Sequence, residues 1–361
     1  MTASAPVSPT VLARNTPPVA SATPKVPIAT GTAPPTPTKE KPPTPGPPTA
    51  TPTPAQRAQY HTVSTGDTLY GISRRYGVSM EGLAEANGLS SDATLAVGQR
   101  LQIPAAGEAG GLKLPPAGQV LTAPLEQPLS QLAPGVVAFL RQRRGATAAA
   151  VYLPRTNTLY TYNPGARFQM ASTVKVPIMA TQLARVYAAN PNAVLPGTDL
   201  LTPLITTSDN DAATALLVEV GGPPAVTAEL RARGVNATEI NAEAWGLSTT
   251  TAPDMALLMR SLYYGERLNP RLRDVAFRLM SGIVAEQRWG VPAGLPASST
   301  VAFKGGWLPV QNGWLVHQIG IAVIDNEPVI FAYYNGEQPT FEYGKQTLRR
   351  AVELLSVREE K

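Results

Sequence analysis

The sequence predicts an α+β protein with two folded parts, and three observations carry that prediction. A stretch of about 45 residues from Tyr60 reads strand, helix, helix, strand. The longer part from Leu129 places alternating strand patterns at both of its ends, with helical patterns between them. The first 58 residues carry no such periodicity and are Pro, Thr, Ala and Ser. The architecture expected is a small β-α-α-β module followed by an antiparallel sheet, built from both ends of its domain and packed on helices.

The chain has 361 residues and 37 prolines, sixteen of them before residue 55. Residues 1–58 hold too little apolar surface to offset the entropy of ordering a backbone. They are expected to form an extended, disordered spacer. Net charge is +5: residues 1–59 carry five basic groups against Glu40, residues 60–104 carry three against four acidic, and the rest 22 against 20. No part has the strongly basic balance of a nucleic-acid binder. The absence of cysteine excludes disulfides, thiolate metal sites and a cysteine nucleophile. His61 and His317 are the only histidines, too few for a multi-histidine metal site. No cofactor is expected. No apolar run approaches the ~18 residues that span a bilayer, and the N-terminus shows neither a charged n-region nor an apolar h-region.

The module, residues 59–105, opens with a strand at His61–Val63. "STGDT" supplies a turn, with Asp67 as the expected helix cap. Leu69, Ile72 and Tyr76 form an apolar stripe, and Gly77 ends that helix. Ser79 caps a second helix with Leu83 and Ala86 inward, closed by Asn87-Gly88. "GQRLQIP" is the last strand, with Leu101 and Ile103 alternating. This whole stretch, "YHTVSTGDTLYGISRRYGVSMEGLAEANGL" with "GQRLQIP", resembles the LysM domain. The resemblance implies binding of N-acetylglucosamine-containing glycan, peptidoglycan or chitin, in a groove between two loops. Carried onto this chain, the groove is Gly66, Asp67, Thr68 and Leu69, with Gly88 and Leu89 opposite.

Residues 106–128 read as a second linker, and the main domain as 129–361. "SQLAPGVVAFLRQR" reads as a helix, and "ATAAAVYLP" and "TLYTYN" as strands joined by "RTN". "STVAFKGGW", "WLVHQIGIAVID" and "PVIFAYYN" read as three further antiparallel strands, and "YGKQTLRRAVELLSV" as the closing helix.

Chemistry enters at "FQMASTVKVPIM", Phe168 to Met179. Residues three apart on a helix share a face, so Ser172 and Lys175 can touch. Apolar neighbours desolvate the lysine and lower its pKa. A neutral lysine can take the serine's proton and make it a nucleophile. Read alone, the pair also fits a serine cap followed by a snorkelling lysine. "TTSDNDAATALL" adds Ser208, Asp209 and Asn210 ahead of an apolar helix, and "VAFKGGW" adds Lys304, Gly305 and Gly306 at a strand end.

The order of these three motifs resembles class A β-lactamases and the related penicillin-binding proteins, over roughly Leu129 to Val357. The resemblance implies an acyl-serine mechanism. Ser172 attacks an amide or β-lactam carbonyl, and Lys175 acts as base. Ser208 passes a proton to the leaving nitrogen, and Asn210 binds the substrate's side-chain amide. Lys304 supplies positive charge near Ser208 and the substrate carboxylate. The oxyanion sits between the backbone N–H groups of Ser172 and Trp307, beside Gly306.

Three departures qualify it. Ser172 and Ser208 are only 36 residues apart. The third motif has Gly305 where a hydroxyl residue is usual, followed by Trp307. The glutamate that activates the deacylating water, normally in E-x-x-x-N, has no clear counterpart. In "NATEINAEAWGLS", Glu239 and Glu243 are followed four residues on by Glu243 and Leu247. Glu243 is the candidate for that role; without one, the acyl-enzyme turns over slowly. His317 is read as a strand histidine, and no Ser–His–Asp triad is expected. The function implied is a peptidoglycan-associated, extracytoplasmic serine hydrolase acting on β-lactams or D-Ala-D-Ala-like amides. A slow-turnover penicillin-binding enzyme, a vestigial wall-binding protein, and an esterase or amidase on the same fold stay open.

Overall fold

The computed structural model describes residues 59–76, 80–90, 92–103, 112, 114, 122–193 and 200–356. The spacer expected over 1–58, most of the linker expected over 106–128, and the cap and stop positions Ser79 and Gly77 lie outside the described residues.

The first folded part follows the predicted order: β1 (Gln59–Thr62), α1 (Leu69–Tyr76), α2 (Met80–Glu85) and β2 (Arg100–Ile103). β1 and β2 pair antiparallel, His61 opposite Leu101. Its core joins Val63, Leu69, Ile72, Leu83, Ala84, Leu101 and Ile103. Two local expectations change. Ala84, not Ala86, faces inward; Ala86 is exposed. The cap of α1 is Thr68, whose Oγ1 accepts the Gly71 N–H at 3.0 Å. Asp67 instead accepts from the Ser64 N–H at 2.8 Å and holds His61 Nε2 at 2.7 Å. Asp and Thr are both good caps, and the register of the turn decides between them. Asn87 ties α2 to β2, exchanging hydrogen bonds with the Gln102 backbone.

The second part begins at β3 (Leu125–Pro128), inside the segment expected to be linker. The predicted helix that follows is two: α3 (Leu129–Leu132) and α4 (Pro134–Arg141). Pro134 disfavours helical backbone at Ala133 and restarts the helix as its first residue. Next come β4 (Ala146–Leu153), β5 (Thr158–Tyr162), β6 (Phe168–Gln169), a 3-10 turn at Ala171–Val174, and α5 (Lys175–Ala189). The helical region continues with α6 (Leu201–Thr206), α7 (Asn210–Glu219), α8 (Gly222–Ala232), β7 (Thr249–Thr250), α9 (Ala252–Tyr264), α10 (Pro270–Ser281) and α11 (Val291–Gly294). The chain returns to the sheet as β8 (Thr300–Val310), β9 (Gly313–Ile324) and β10 (Glu327–Gly336), and closes with α12 (Phe341–Ser356).

The sheet order is β3-β5-β4-β10-β9-β8, so strands from both ends of the domain meet at β4–β10. Only β3 runs parallel to its neighbour. β9 and β10 are buried at consecutive positions, hence on both faces, with α12 packed on β9 and α9 packed on β4, β9 and β10. β3 and β8 are the two edges. Among the described residues no helix is long and apolar enough to cross a membrane, and no group of acidic, histidine or cysteine side chains could hold a metal.

Candidate active site

Ser172 sits in the 3-10 turn, and Lys175 is the first residue of α5. α5 is buried on all sides from Lys175 to Ala184, which removes the lysine from water. Val174, Val176, Ile178 and Met179 are fully buried around it, and Lys175 itself is 0% exposed. Ser172 keeps partial exposure. Thr173 pins the turn by donating to the Met170 carbonyl at 2.7 Å.

Four oxygens surround the Lys175 Nζ: Ser172 Oγ at 3.0 Å, Ser208 O at 2.8 Å, Ser208 Oγ at 3.2 Å and Asn210 Oδ1 at 2.7 Å. The Ser208 carbonyl and Asn210 Oδ1 only accept. They take both N–H bonds of a neutral amine and leave its lone pair for a hydroxyl proton. Burial, countered by the Asp209 charge, lowers the Lys175 pKa to about 8. Burial thus moves Lys175 toward the neutral amine that these acceptors can orient, with the midpoint at about 8.

Lys304 also reaches Ser208. Its Nζ is 3.0 Å from Ser208 Oγ and 2.8 Å from the Gly305 carbonyl. Burial first, and the Lys175 charge second, hold its pKa well below the ordinary lysine value. Ser208 Oγ thus lies between two lysines. Where both donate to it, its own proton is free to point into the cleft.

The backbone at both hydroxyls is strained. Ala171, next to Ser172, has φ 46°, and Ser208 has φ 61°. A non-glycine residue held there costs about 1–3 kcal/mol, a cost that clusters at functional sites. Asp209 caps α7 by accepting the Ala212 N–H at 2.7 Å, which orients the turn that carries Ser208 and Asn210.

Gly306 permits the close approach of β8 to this turn. A Cβ there would stand 2.9 Å from both the Met170 carbonyl oxygen and the Thr173 nitrogen. Trp307, half-buried, follows it on β8. His317 lies opposite Gly306 on β9, fully buried. Its Nε2 is 2.9 Å from the Gln169 carbonyl, and its Nδ1 accepts the Asn335 N–H. Burial lowers its pKa to about 3, so it stays neutral. The histidine braces the strand beneath the turn.

The segment searched for a deacylating carboxylate forms a compact loop, closed by the bridge between Glu239 and Thr249 and held to β6 by the Met170 N–H on the Ser248 carbonyl. Glu243 is exposed, and its backbone N–H bonds to Asn241 Oδ1. Glu239 is exposed and pairs with Arg167 at 3.1 Å. The residue this loop presents to Lys175 is Trp245, with its ring centroid 4.9 Å from Nζ. Its indole N–H donates to Thr214 Oγ1 at 3.1 Å, which fixes the ring. Sequence reasoning missed Trp245. The one available signal was an aromatic residue inside the segment searched for an acid.

In the first folded part, Gly66, Thr68 and Gly88 are exposed, and Asp67 and Leu89 are half-buried. Leu69 is 3% exposed and packed in the core. Its side chain packs among Val63, Ile72 and Leu101 beneath the loop.

The second part thus has a buried serine–lysine cluster on a sheet flanked by helices, and the first part is a small two-stranded, two-helix module. Family models assign both parts: residues 61–104 match the LysM domain, and residues 187–355 match the beta-lactamase enzyme family. Among solved structures, PBP-A matches at 22% identity with TM-score 0.56, over 65% of this chain and 98% of that chain. A PBP-A mutant in acyl-enzyme complex with penicillin-G matches at 23% identity with TM-score 0.56, over 64% and 97%. At those identities the likeness is one of fold. A variant of the last common ancestor of Gram-negative bacteria β-lactamase class A matches at 26% identity with TM-score 0.54, over 62% and 97%. Residues 61–104 thus match the LysM domain, residues 187–355 match the beta-lactamase enzyme family, and the second part shares its fold with class A β-lactamases and PBP-A.

Proposed function

We propose that this protein is a peptidoglycan-associated, extracytoplasmic acyl-serine enzyme that reacts with β-lactams and D-Ala-D-Ala-like amides and releases the acyl group slowly. The observation that carries the reading is the Lys175 environment: two carbonyl-type acceptors fill its N–H bonds, and Ser172 Oγ stands at 3.0 Å. The Oγ of Ser172 adds to the carbonyl carbon as its proton passes to Lys175 Nζ. The C–N bond then breaks, and the nitrogen takes the Ser208 proton, which the lysines replace. Asn210, with Oδ1 on Lys175, offers its Nδ2–H₂ to the substrate. The N–H groups of Ser172 and Trp307 hold the oxyanion.

Slow release rests on Trp245. Hydrolysis of the ester needs a base that activates water, and the loop beside Lys175 supplies an indole there. Glu243, on the exposed side of that loop, is the less suited base. The LysM domain supplies the wall attachment, through the exposed Gly66, Thr68 and Gly88 with Asp67 and Leu89.

The test is intact-protein mass spectrometry over time with benzylpenicillin, with Ser172→Ala as control. A Ser172-dependent adduct that persists supports the reading. An adduct that decays as fast as it forms makes the protein a working β-lactamase. No adduct removes the acyl-serine reading.

A further inference from the structure

The loop that carries Trp245 is internally braced. Asn241 Oδ1 accepts the N–H groups of Glu243 and Ala244 at 2.9 and 2.7 Å. Ser248 Oγ donates to the Trp245 carbonyl at 2.6 Å and accepts the Asn241 N–H at 3.0 Å. The Met170 N–H bonds to the Ser248 carbonyl, which ties the loop to the segment leading into the catalytic turn. The turn at Trp245–Leu247 packs directly on the 3-10 turn at Ala171–Val174 that carries Ser172.

Three groups converge on Lys175 Nζ: Ser172 Oγ at 3.0 Å, Asn210 Oδ1 at 2.7 Å and the centre of the Trp245 indole at 4.9 Å. An acyl group on Ser172 is covalently tethered at the first of these. Its amide meets Asn210 Nδ2 at the second, so its side chain is brought beside the third. Trp245 and Asn210 are also joined directly. The indole N–H donates to Thr214 Oγ1 at 3.1 Å, and that hydroxyl donates to the Asn210 carbonyl at 3.0 Å.

Indole has no polar group besides that N–H. The half-buried ring therefore offers the cleft hydrocarbon surface alone. Leu247 in the same turn is 39% exposed and adds to it. A flat apolar group gains ring contact here, and little ordering is required because the indole is already fixed.

We propose that Trp245 is a specificity-determining residue. It walls the subsite for the acyl side chain and selects substrates whose side-chain amide carries a flat apolar group, an aryl ring above all, over those that end there in a small group. The inference rests on the acyl-serine reading above.

Benzylpenicillin and 6-acetamidopenicillanic acid share the reacting ring system and differ by the phenyl group. The test measures the second-order rate of Ser172 acylation of the full chain by each, by quenched intact mass. Wild type is compared with Trp245→Ala and with Trp245→Leu, which keeps apolar bulk in the loop but no ring. The variants carry the difference in intrinsic reactivity between the two compounds. The benzyl-to-acetamido rate ratio of the wild type is expected to exceed that of each variant about three- to tenfold, the size of one aromatic contact. A merely structural role of Trp245 lowers both rates together. A wild-type ratio equal to that of either variant therefore overturns the inference and leaves the acyl-serine reading standing. Absence of a Ser172 adduct with either compound in the wild type overturns both.

Discussion

The sharpest consequence of the Lys175 environment is a pH profile. A lysine with a pKa of about 8 is ~10% neutral at pH 7 and ~90% neutral at pH 9. If the neutral amine receives the Ser172 proton, acylation speeds up about tenfold between those two values and levels off above pH 9. The sign follows from burial: desolvation disfavours the ammonium, so the base form is reached below the ordinary lysine range. Asp209 works against this, because its negative charge favours the ammonium. Asp209→Asn removes that charge and keeps a side-chain oxygen to cap α7 on the Ala212 N–H. The variant's inflection therefore moves to lower pH while the helix start is preserved. The assay is the second-order rate of adduct formation with benzylpenicillin from pH 6 to 10, by quenched intact mass, for both proteins. A flat profile, or an inflection near the ordinary lysine value of 10.5, refutes the neutral-lysine argument. An upward shift in Asp209→Asn refutes the account of what tunes it.

Three further outcomes are expected. Lys175→Ala lowers acylation by about 10²–10⁴-fold, the usual value of a general base, while co-sedimentation with peptidoglycan is unchanged; full labelling of that variant would exclude Lys175 as the base. Trp245→Glu places a carboxylate on the loop that faces Lys175; adduct lifetime after removal of free β-lactam shortens by at least about tenfold, and an unchanged lifetime shows that the indole is not what withholds hydrolysis. Gly306→Ala drives a Cβ to 2.9 Å from Met170 O and Thr173 N; overpacking of this kind costs about 1–3 kcal/mol, read as a lower Tm, and an unchanged Tm contradicts the close approach of β8.

Much of this was legible locally. The long strands β8, β9 and β10 lie close to where the sequence pattern placed them, although they are buried in continuous runs rather than in alternation. Ser172 and Lys175 meet because a three-residue spacing spans one helical turn, a rule that needs no tertiary information. Other features depend on distant partners. β3 is four residues long with no apolar alternation, and it is a strand because β5 offers a free edge. Trp245 faces Lys175 because the loop that carries it is closed by Glu239–Thr249 and anchored on Met170. The Gln318 amide finds its partners in the backbone of residues 289–291, about thirty positions away, and nothing near Gln318 announces them. The shift of the α1 cap from Asp67 to Thr68 is a one-residue register choice between two equally suitable side chains.

The strand order has a spatial consequence. The chain enters the six-stranded sheet at β3, one of its margins, after Leu112 and Leu114 have already packed against the core of the domain. Asn157 grips that entry point through Thr122 Oγ1 and the Ala123 carbonyl, and Arg260 through the Thr122 carbonyl. The reactive cluster lies beside β8, at the other margin. Four strands, β5, β4, β10 and β9, stand between that entry point and Lys304. The point of entry and the reactive cluster are thus separated by the full width of the sheet.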